Sequence, residues 1–367
     1  PSAVDRYNAI FQDYLKRGII EEVNETILEA ERKHYLPHHP VEKETSETTK
    51  TRPVYDASAK LRRTDDYVSL NECLHRGPIE KVMQDLAALE VSFRFYPIGL
   101  VSDIEKAFLM VGLQMPDRDM TRFVWLKNTG SLVVDGNLVI YRFKMLPFGV
   151  VCSPWLLAAC LEEELQHQSD PVLQKLRQSI YVDNVVSGAD NVEEAMEFYL
   201  TTKSHLHQQM SMNLREWRSN SSSVMEKIPE TSRAKKPVDK VLGIQWDATL
   251  DQLSIMSSIQ VQDGLPTKRR VAQVVAAMFD PMGLFLPIRF NGLLVLSELW
   301  RKAIKWDDPM PPVLLTEWRR VEQQLSEISQ HKFPRLIGPT SGIKDTKFSL
   351  VGFCDASNLA YACCIYL

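Results

Sequence analysis

Short apolar runs rich in β-branched residues recur along the chain between clusters of polar turn residues, a pattern typical of strands. Strands or hairpins are predicted over residues 52–60, 98–110, 122–126, 132–143, 179–188, 241–246, 348–357 and 361–367. In the 179–188 stretch two such runs meet at Asp183–Asn184, so we expect a tight hairpin with these two residues in its turn. Asp135–Gly136 is expected to turn the 132–143 hairpin. Gly243 within the 241–246 strand indicates close approach of another backbone.

Longer segments between these strands place apolar residues at helical spacing. Near the N-terminus Tyr7, Phe11 and Tyr14 follow that spacing. Further helices are predicted over 78–89, from Pro154 to about 165, from Val192 onward, and over 268–278, 288–304 and 312–328. Ser153 and Thr267 are suited to cap the helices that follow them. Strands and helices in this mixture predict an α+β fold.

The composition is ordinary for a globular protein of two or three domains: 367 residues, 44% hydrophobic and 25% charged. The net charge of −4 excludes a chain that binds nucleic acid through overall charge, so such a role needs local basic patches or metal. Six cysteines without CxxC spacing predict reduced, mostly buried thiols of an intracellular protein. The most apolar stretch, 283–300, contains Pro287 and Arg289 and is not expected to span a membrane. Both ends look cut from something larger.

Two carboxylates stand out because of their surroundings. Asp103 interrupts an apolar strand, where a carboxylate is costly unless it is paired or bound to metal. Asp183 lies at a predicted hairpin tip, where it is either an ordinary turn former or a metal ligand. Carboxylates brought together from different elements are what two-metal phosphoryl transfer requires.

Basic and histidine-rich clusters offer two further candidates. The basic cluster formed by Arg52, Lys60, Arg62 and Arg63 is either a solvated face or a site for a polyphosphate or nucleic-acid backbone. Residues 34–40 hold three histidines but no fourth ligand at a recognised spacing. A proline-stiffened loop or edge strand is therefore favoured there over a zinc site.

The order of motifs resembles a reverse transcriptase. Three palm motifs are matched, by Val101–Phe108, by Met145–Gly149 with Ser153–Pro154, and by Tyr181–Asn184. Further blocks are similar to the Pao/BEL group of LTR retrotransposons: Tyr35–His39, Arg52–Lys60, Ser69–Glu72, Asn213–Asn220 and Phe279–Leu284. The resemblance covers nearly the whole chain.

The resemblance implies a right-hand polymerase fold of fingers, palm and thumb, followed by the first strands of an RNase H-like domain. It divides the chain into an N-terminal extension of the fingers (1–50), fingers and palm (51–240), primer grip and helical thumb or connection (241–340), and a truncated RNase H-like start (341–367). The implied function is that of an RNA-directed DNA polymerase fragment.

The resemblance also assigns residue roles. Asp103 and Asp183 would be the principal ligands of two Mg²⁺ or Mn²⁺ ions, with Asn184 beside them in the catalytic motif. The incoming nucleotide would meet these residues: Arg52, Lys60, Phe108, Phe148 and Gly149. Primer and template would meet another set: Tyr181, Leu242, Gly243, Trp246, Lys268, Arg269 and Arg270. Asp355 would be the first metal carboxylate of an incomplete RNase H site.

One departure from the family pattern concerns catalysis. The family usually carries two aspartates at the hairpin tip, and Asn184 occupies the second position here. An asparagine offers a neutral carbonyl oxygen in place of a charge, so metal affinity is expected to fall. Two alternatives therefore stay open: an active polymerase, and a nucleic-acid-binding relic. A third, an aspartic peptidase, lacks the required Asp-Thr/Ser-Gly loop, because Asp355-Ala-Ser has no glycine.

The expected partners follow from the same resemblance. They are an RNA template, a DNA or RNA primer, deoxynucleoside triphosphates, and the rest of a polyprotein with RNase H and integrase. No membrane partner is expected. The expected location is intracellular, in a cytoplasmic virus-like particle.

Overall fold

The computed structural model describes residues 3–24, 32–42, 51–60, 68–78, 85–255, 259, 261, 264–343 and 346–366. Its helices are α1 (Ala3–Lys16), α2 (Leu70–Cys73), α3 (Leu86–Phe95), α4 (Met115–Arg118), α5 (Ser153–Leu165), α6 (Pro171–Ser179), α7 (Val192–Met210), α8 (Ser222–Lys227), α9 (Lys268–Ala277), α10 (Leu286–Arg301) and α11 (Pro312–Glu327).

The strands are β1 (Ile20–Glu22), β2 (His38–Glu42), β3 (Thr51–Tyr55), β4 (Ile98–Ile104), β5 (Arg122–Leu126), β6 (Leu138–Phe143), β7 (Ile180–Tyr181), β8 (Asn184–Ala189), β9 (Leu214–Ser219), β10 (Val238–Val241), β11 (Ile244–Asp247), β12 (Gln252–Ser254), β13 (Lys332–Pro334), β14 (Val351–Ala356) and β15 (Tyr361–Tyr366). They form sheets ordered β7-β8-β4-β9, β1-β6-β5, β10-β11-β12-β13, β2-β3 and β14-β15.

The chain divides into two compact units. The first comprises Pro1–Leu86, Ser102–Val185 and Phe198–Trp217, and the second comprises Ala87–Val101, Val186–Glu197 and Arg218–Leu367. The first unit has an aromatic core around Phe11, Phe123 and Phe143, all fully buried. The second contains a three-helix cluster of α9, α10 and α11, packed around Val271, Leu299 and Trp318.

His38 belongs to the aromatic core of the first unit. Its Nδ1 lies 2.8 Å from the Tyr7 hydroxyl and its Nε2 lies 3.0 Å from the Val124 carbonyl. Burial lowers the pKa of this histidine, which favours the neutral ring. Both ring nitrogens therefore have protein partners, in agreement with an edge strand in place of a zinc site.

The hairpin of the 179–188 stretch is present, but its turn is displaced by one residue. Tyr181 pairs with Asn184, so the turn residues are Val182 and Asp183, and the expectation of Asp183–Asn184 is wrong. Val182 has φ 58°, a left-handed conformation that is uncommon for a β-branched residue. The turn is therefore a strained one, and it places Asp183 at the tip.

Two other predictions, a hairpin over 132–143 and a single strand over 241–246, are corrected. Strand β6 pairs with β5 and β1, while residues 132–134 are exposed loop. The reason is Asn137, whose side-chain amide donates to the carbonyls of Asn128 and Leu132 and so fixes this loop. The 241–246 stretch is two strands, β10 and β11, joined by Leu242–Gly243, both with positive φ.

Helix predictions agree more closely with the structure. Thr267 caps α9 through a bond from the Arg270 amide, and α10 and α11 match the predicted ranges within three residues. Helix α5 begins one residue early, with Cys152 at the N-cap and the Ser153 hydroxyl donating to the Pro147 carbonyl. The 78–89 helix is only partly testable, because residues 79–84 lie outside the described part of the chain.

The cysteine prediction is half wrong. All six thiols are free, as expected, but five are exposed and Cys152 is partly buried. Three of the exposed thiols lie on or beside the β14–β15 pair, in which nearly every residue is exposed and no core forms. In the described part of the chain no helix is long and apolar enough to cross a membrane.

Candidate active site

Asp103 and Asp183 both lie in the first unit, on neighbouring parts of the sheet that contains β4 and β8. The amide of Ile104, one residue after Asp103, donates to the main-chain carbonyl of Asp183 at 2.8 Å. This bond fixes the end of β4 against the hairpin turn. The strand pattern of the sequence thus brings together the two carboxylates separated by 80 positions.

Burial perturbs the ionisation of both carboxylates. Burial, with a contribution from the neighbouring charge of Asp183, raises the pKa of Asp103 to about 6 against the opposing effect of Arg215. Burial also raises the pKa of Asp183. The Asn184 side-chain amide donates to Asp183 Oδ1 at 2.9 Å. A pair of half-buried carboxylates with raised pKa values is typical of a functional site.

Arg215, on β9, is a basic residue that contacts Asp103. Its Nε donates to Asp103 Oδ2 at 3.1 Å, and its Nη1 lies 3.7 Å from Glu105 Oε1. The Asn213 amide in turn donates to Glu105 Oε2 at 3.0 Å. Lys203 Nζ donates to Asn213 Oδ1 at 2.9 Å. A connected set of charged and polar side chains therefore extends from Asp103 through Arg215, Glu105 and Asn213 to Lys203.

The donor chemistry of this site suits a hard divalent cation. Carboxylate oxygens are the ligands that Mg²⁺ prefers, and Mg²⁺ is commonly held by one or two carboxylates together with waters and substrate phosphates. The repulsion between Asp103 and Asp183 is what a cation between them would relieve. Among the described residues no group of three acidic, histidine or cysteine side chains gathers, so the protein would supply only part of a coordination shell.

Two of the residues expected to contact the nucleotide, Phe108 and Phe148, pack against each other. Phe108 and Phe148 form an edge-to-face pair with ring centroids 5.0 Å apart. Gly149 has φ 88°, and a Cβ there would lie 2.2 Å from the Tyr55 carbonyl oxygen, so only glycine fits. Asn71 fixes the loop by donating to the Gly149 carbonyl.

Two members of the basic cluster, Arg52 and Lys60, are exposed. Arg52 points from β3 to the surface. Lys60 is also exposed and bonds Glu72 at 2.5 Å, and this bond is the largest cause that holds the pKa of Glu72 at about 2. Arg62 and Arg63 lie outside the described residues. Arg52 and Lys60 stay predictions for triphosphate contact.

The residues expected to contact the primer differ in their exposure. Leu242 and Gly243 form the tight turn of the β10–β11 hairpin, and Tyr181 is partly buried at the end of β7. Trp246, however, is fully buried and donates from Nε1 to Asp251 at 3.0 Å. Its expected contact with nucleic acid is corrected to a core role, because alternation along β11 turns this side chain inward.

The basic triplet that begins α9 is engaged within the protein. Lys268 is 3% exposed, donates to the Ile304 carbonyl at 2.7 Å, and lies over the Trp300 ring. Its burial is at odds with the expected phosphate contact. Arg269 is paired with Asp307 and Arg270 with Glu322. For these two arginines phosphate contact stays a prediction, and it would require exchange of partners.

Asp355 lies on β14 and is exposed; its carboxylate accepts a bond from the Ala356 amide. Sequence reasoning named Asp103, Asp183 and the Phe108–Phe148 pair, but it missed Arg215, Glu105 and Lys203. The Asn213–Asn220 block contains Arg215 and the Val101–Phe108 motif contains Glu105, so a sequence signal exists for both, whereas Lys203 lies in no matched block.

Comparison with known proteins adds the following findings. A model of the reverse transcriptase (RNA-dependent DNA polymerase) family matches residues 48–226, and a model of the Pao retrotransposon-like RNaseH-like domain matches residues 267–367. A solved structure of the foamy viral protease-reverse transcriptase dRH in complex with ds DNA is similar with a TM-score of 0.58 at 14% identity. The similarity covers 99% of this chain and 56% of that one, and at this identity it shows the fold alone. No curated protein matches.

The first matched model shows the class of protein: residues 48–226 are a reverse transcriptase domain within an α+β fold, and an RNase H-like domain follows it. Because that second domain matches the Pao retrotransposon-like model, the chain joins a reverse transcriptase domain to an RNase H-like domain of the Pao type. The Pao match begins at residue 267 and so includes α9, α10 and α11. The proposed boundary at 341 stays a prediction.

Proposed function

We propose that this chain catalyses RNA-directed DNA synthesis, by transfer of a nucleotide to the 3′-hydroxyl of a primer. The observation that carries the proposal is the pairing of Asp103 and Asp183, whose backbones are joined by the Ile104–Asp183 bond. The chain spans 56% of the foamy viral structure that it resembles, and that structure is a complex with double-stranded DNA. Template, primer and deoxynucleotides are accordingly the proposed partners.

In this proposal each side chain has a limited task. Asp103 and Asp183 hold divalent cations, which when bound would activate the primer hydroxyl and offset charge on the transferred phosphate. Phe108, packed on Phe148, limits space beside the sugar and excludes a ribose 2′-hydroxyl. Arg52 and Lys60 are proposed to contact the triphosphate through charge-assisted bonds.

The alternative function is a binding relic, and a specific observation favours it. Asn184 presents its amide, a donor, to Asp183 Oδ1. The amide bonded in this way stabilises the carboxylate but adds no charge for a cation. A chain with only two carboxylates at the site would bind template and primer while extending the primer slowly or not at all.

Primer extension on an RNA template, with Mg²⁺ or Mn²⁺, tests the proposal. We expect extension by the native chain and a loss of at least about a hundredfold in Asp103→Ala and in Asp183→Ala, because each removes a principal ligand. Asp135→Ala is the matched control, since Asp135 is an exposed loop carboxylate, and it should extend like the native chain.

Two results would contradict the polymerase. The first is no extension by the native chain together with extension by Asn184→Asp, which identifies the relic. The second is native extension that survives both Asp103→Ala and Asp183→Ala, which would place the catalytic site elsewhere.

A further inference from the structure

Arg215 bonds the carboxylate of Asp103, one of the two proposed metal ligands. Its Nε lies 3.1 Å from Asp103 Oδ2 in a charge-assisted hydrogen bond. Both side chains are about 30% exposed, so the pair is partly shielded from water. A second cation cannot approach the same oxygen without repelling the guanidinium.

The backbone of β9 is irregular at this point. Glu216, the next residue, has φ 53°, a left-handed conformation inside a strand. Arg215 and Glu216 are both half-buried and are followed by three buried residues, so the usual alternation fails. Interruptions of this kind re-aim side chains and occur next to active sites. The orientation of Arg215 is therefore a built feature of the strand.

A second acceptor for Arg215 is already in place. Arg215 Nη1 lies 3.7 Å from Glu105 Oε1, longer than a hydrogen bond but within ion-pair range. The other oxygen of Glu105 is held by Asn213, which Lys203 holds in turn. Glu105 is thus kept with one oxygen directed to the guanidinium.

From this arrangement we infer that Arg215 is a resident counter-ion that competes with divalent metal for Asp103 and moves to Glu105 when metal binds. The inference rests on the proposed function and adds a regulatory step to the same site. Arg215 is a positioning residue in this account: it holds the Asp103 carboxylate in place in the absence of metal, and its positive charge weakens the binding of a divalent cation there.

The test measures Mn²⁺ binding to the full chain by electron paramagnetic resonance of free Mn²⁺, without nucleotide or nucleic acid. Arg215→Gln removes the competitor, so the apparent dissociation constant should fall by about three- to tenfold, the range for a partly exposed charge-assisted pair. Glu105→Gln removes the negative charge that attracts Arg215 away from Asp103 and should raise the apparent dissociation constant by roughly two- to fivefold. A merely structural role would not move the two variants in opposite directions.

Three controls keep the result interpretable. Arg215→Lys retains the charge and should bind Mn²⁺ within about twofold of the native chain. Arg177→Gln changes an arginine of similar exposure, paired with Glu162 in the same unit, and should leave Mn²⁺ affinity unchanged. The melting temperature of Arg215→Gln without metal should fall, and its gain on adding Mn²⁺ should exceed that of the native chain.

The inference is overturned if Arg215→Gln binds Mn²⁺ no more tightly than the native chain, if both variants shift in one direction, or if Arg215→Lys tightens binding as much as Arg215→Gln. The variant Asp103→Asn distinguishes failure of the counter-ion inference from failure of the proposed function. Mn²⁺ binding that survives Asp103→Asn overturns both the inference and the proposed function. Binding that Asp103→Asn abolishes but Arg215→Gln leaves unchanged overturns only the counter-ion.

Discussion

Glu90 is an ionisable residue with no place in the proposed chemistry. It is 5% exposed, and neither carboxylate oxygen has a hydrogen-bond partner among the described residues. Burial, together with the charge of Asp280, raises its pKa to about 8 against the opposing charge of Arg94. Arg94 donates instead to the carbonyls of Arg335 and Pro334. Glu90 is therefore protonated in the folded chain at neutral pH.

This ionisation predicts a pH-dependent stability. The pKa is higher in the folded chain, about 8, than the unfolded value of 4.5, so the folded state binds more protons between these values. Stability must then fall as pH rises from about 4.5 to 8, by an amount on the order of 2–4 kcal/mol. We expect Glu90→Gln to remove this decline in urea unfolding curves recorded between pH 5 and 8. Exposed Glu193→Gln is the control, and an unchanged slope in Glu90→Gln would contradict the assignment.

At the scale of single residues, sequence reasoning found the carboxylates but misplaced the turn that presents one of them. Asp103 and Asp183 were visible because a charge in an apolar run is costly. The turn was assigned to Asp183–Asn184 because both residues favour turns, whereas the structure turns at Val182 with φ 58°. Local propensity does not predict a valine there, because the strain must be offset by contacts that a single sequence does not reveal.

Among the elements, the β10–β11 hairpin depends most on one residue. Gly243 has φ 97°, and a Cβ at this position would lie 2.4 Å from the Phe279 ring. Gly264 has a similar φ of 91°, but nothing lies within 4 Å of its Cβ position. The two glycines share the same backbone requirement and differ in crowding.

This difference predicts unequal costs for the same substitution. Gly264→Ala should lower the free energy of unfolding by about 1 kcal/mol, from the left-handed backbone alone. Gly243→Ala should cost roughly 2–3 kcal/mol, because Phe279 must also move. Urea denaturation of both variants measures the two values. Equal losses would show that Phe279 yields freely and that crowding does not fix this turn.

The elements also show where sequence patterns are sufficient. Helices α9, α10 and α11 were placed closely because caps and helical spacing are local signals. The prediction of a hairpin over 132–143 is wrong because the conformation of this stretch depends on Asn137, whose side chain bonds backbone groups up to nine residues away. The prediction of one strand over 241–246 is wrong because the turn at Leu242–Gly243 contains a leucine, which is not a usual turn residue.

At the scale of the whole molecule, Arg335 joins distant parts of the second unit. It is fully buried, forms a bidentate pair with Asp251, and donates to the carbonyls of Phe93, Tyr96 and Pro97. The segment that enters β4 is thus tied to a residue about 240 positions later. No local pattern in the sequence indicates such a contact.

We expect Arg335→Met to lower the free energy of unfolding by roughly 3–5 kcal/mol, because it removes the charge that offsets partly buried Asp251 and a donor to three carbonyls. Arg320→Met, which breaks the exposed pair with Glu317, is the control and should leave the unfolding midpoint unchanged within error. The double variant with Asp251→Asn should recover part of the loss. A midpoint for Arg335→Met equal to that of the control would show that the buried cluster is dispensable.

The surroundings of Lys268 have an optical consequence. Trp300 and Trp306 are 54% and 43% exposed and lie beside this ammonium, whereas Trp217, Trp246 and Trp318 are fully buried. Water-facing indoles emit at longer wavelengths and are reached by acrylamide, while buried ones are shielded. The red-shifted, quenchable part of the intrinsic fluorescence therefore reports mainly on the end of α10. A duplex that covers this surface would change that part of the emission without any added label.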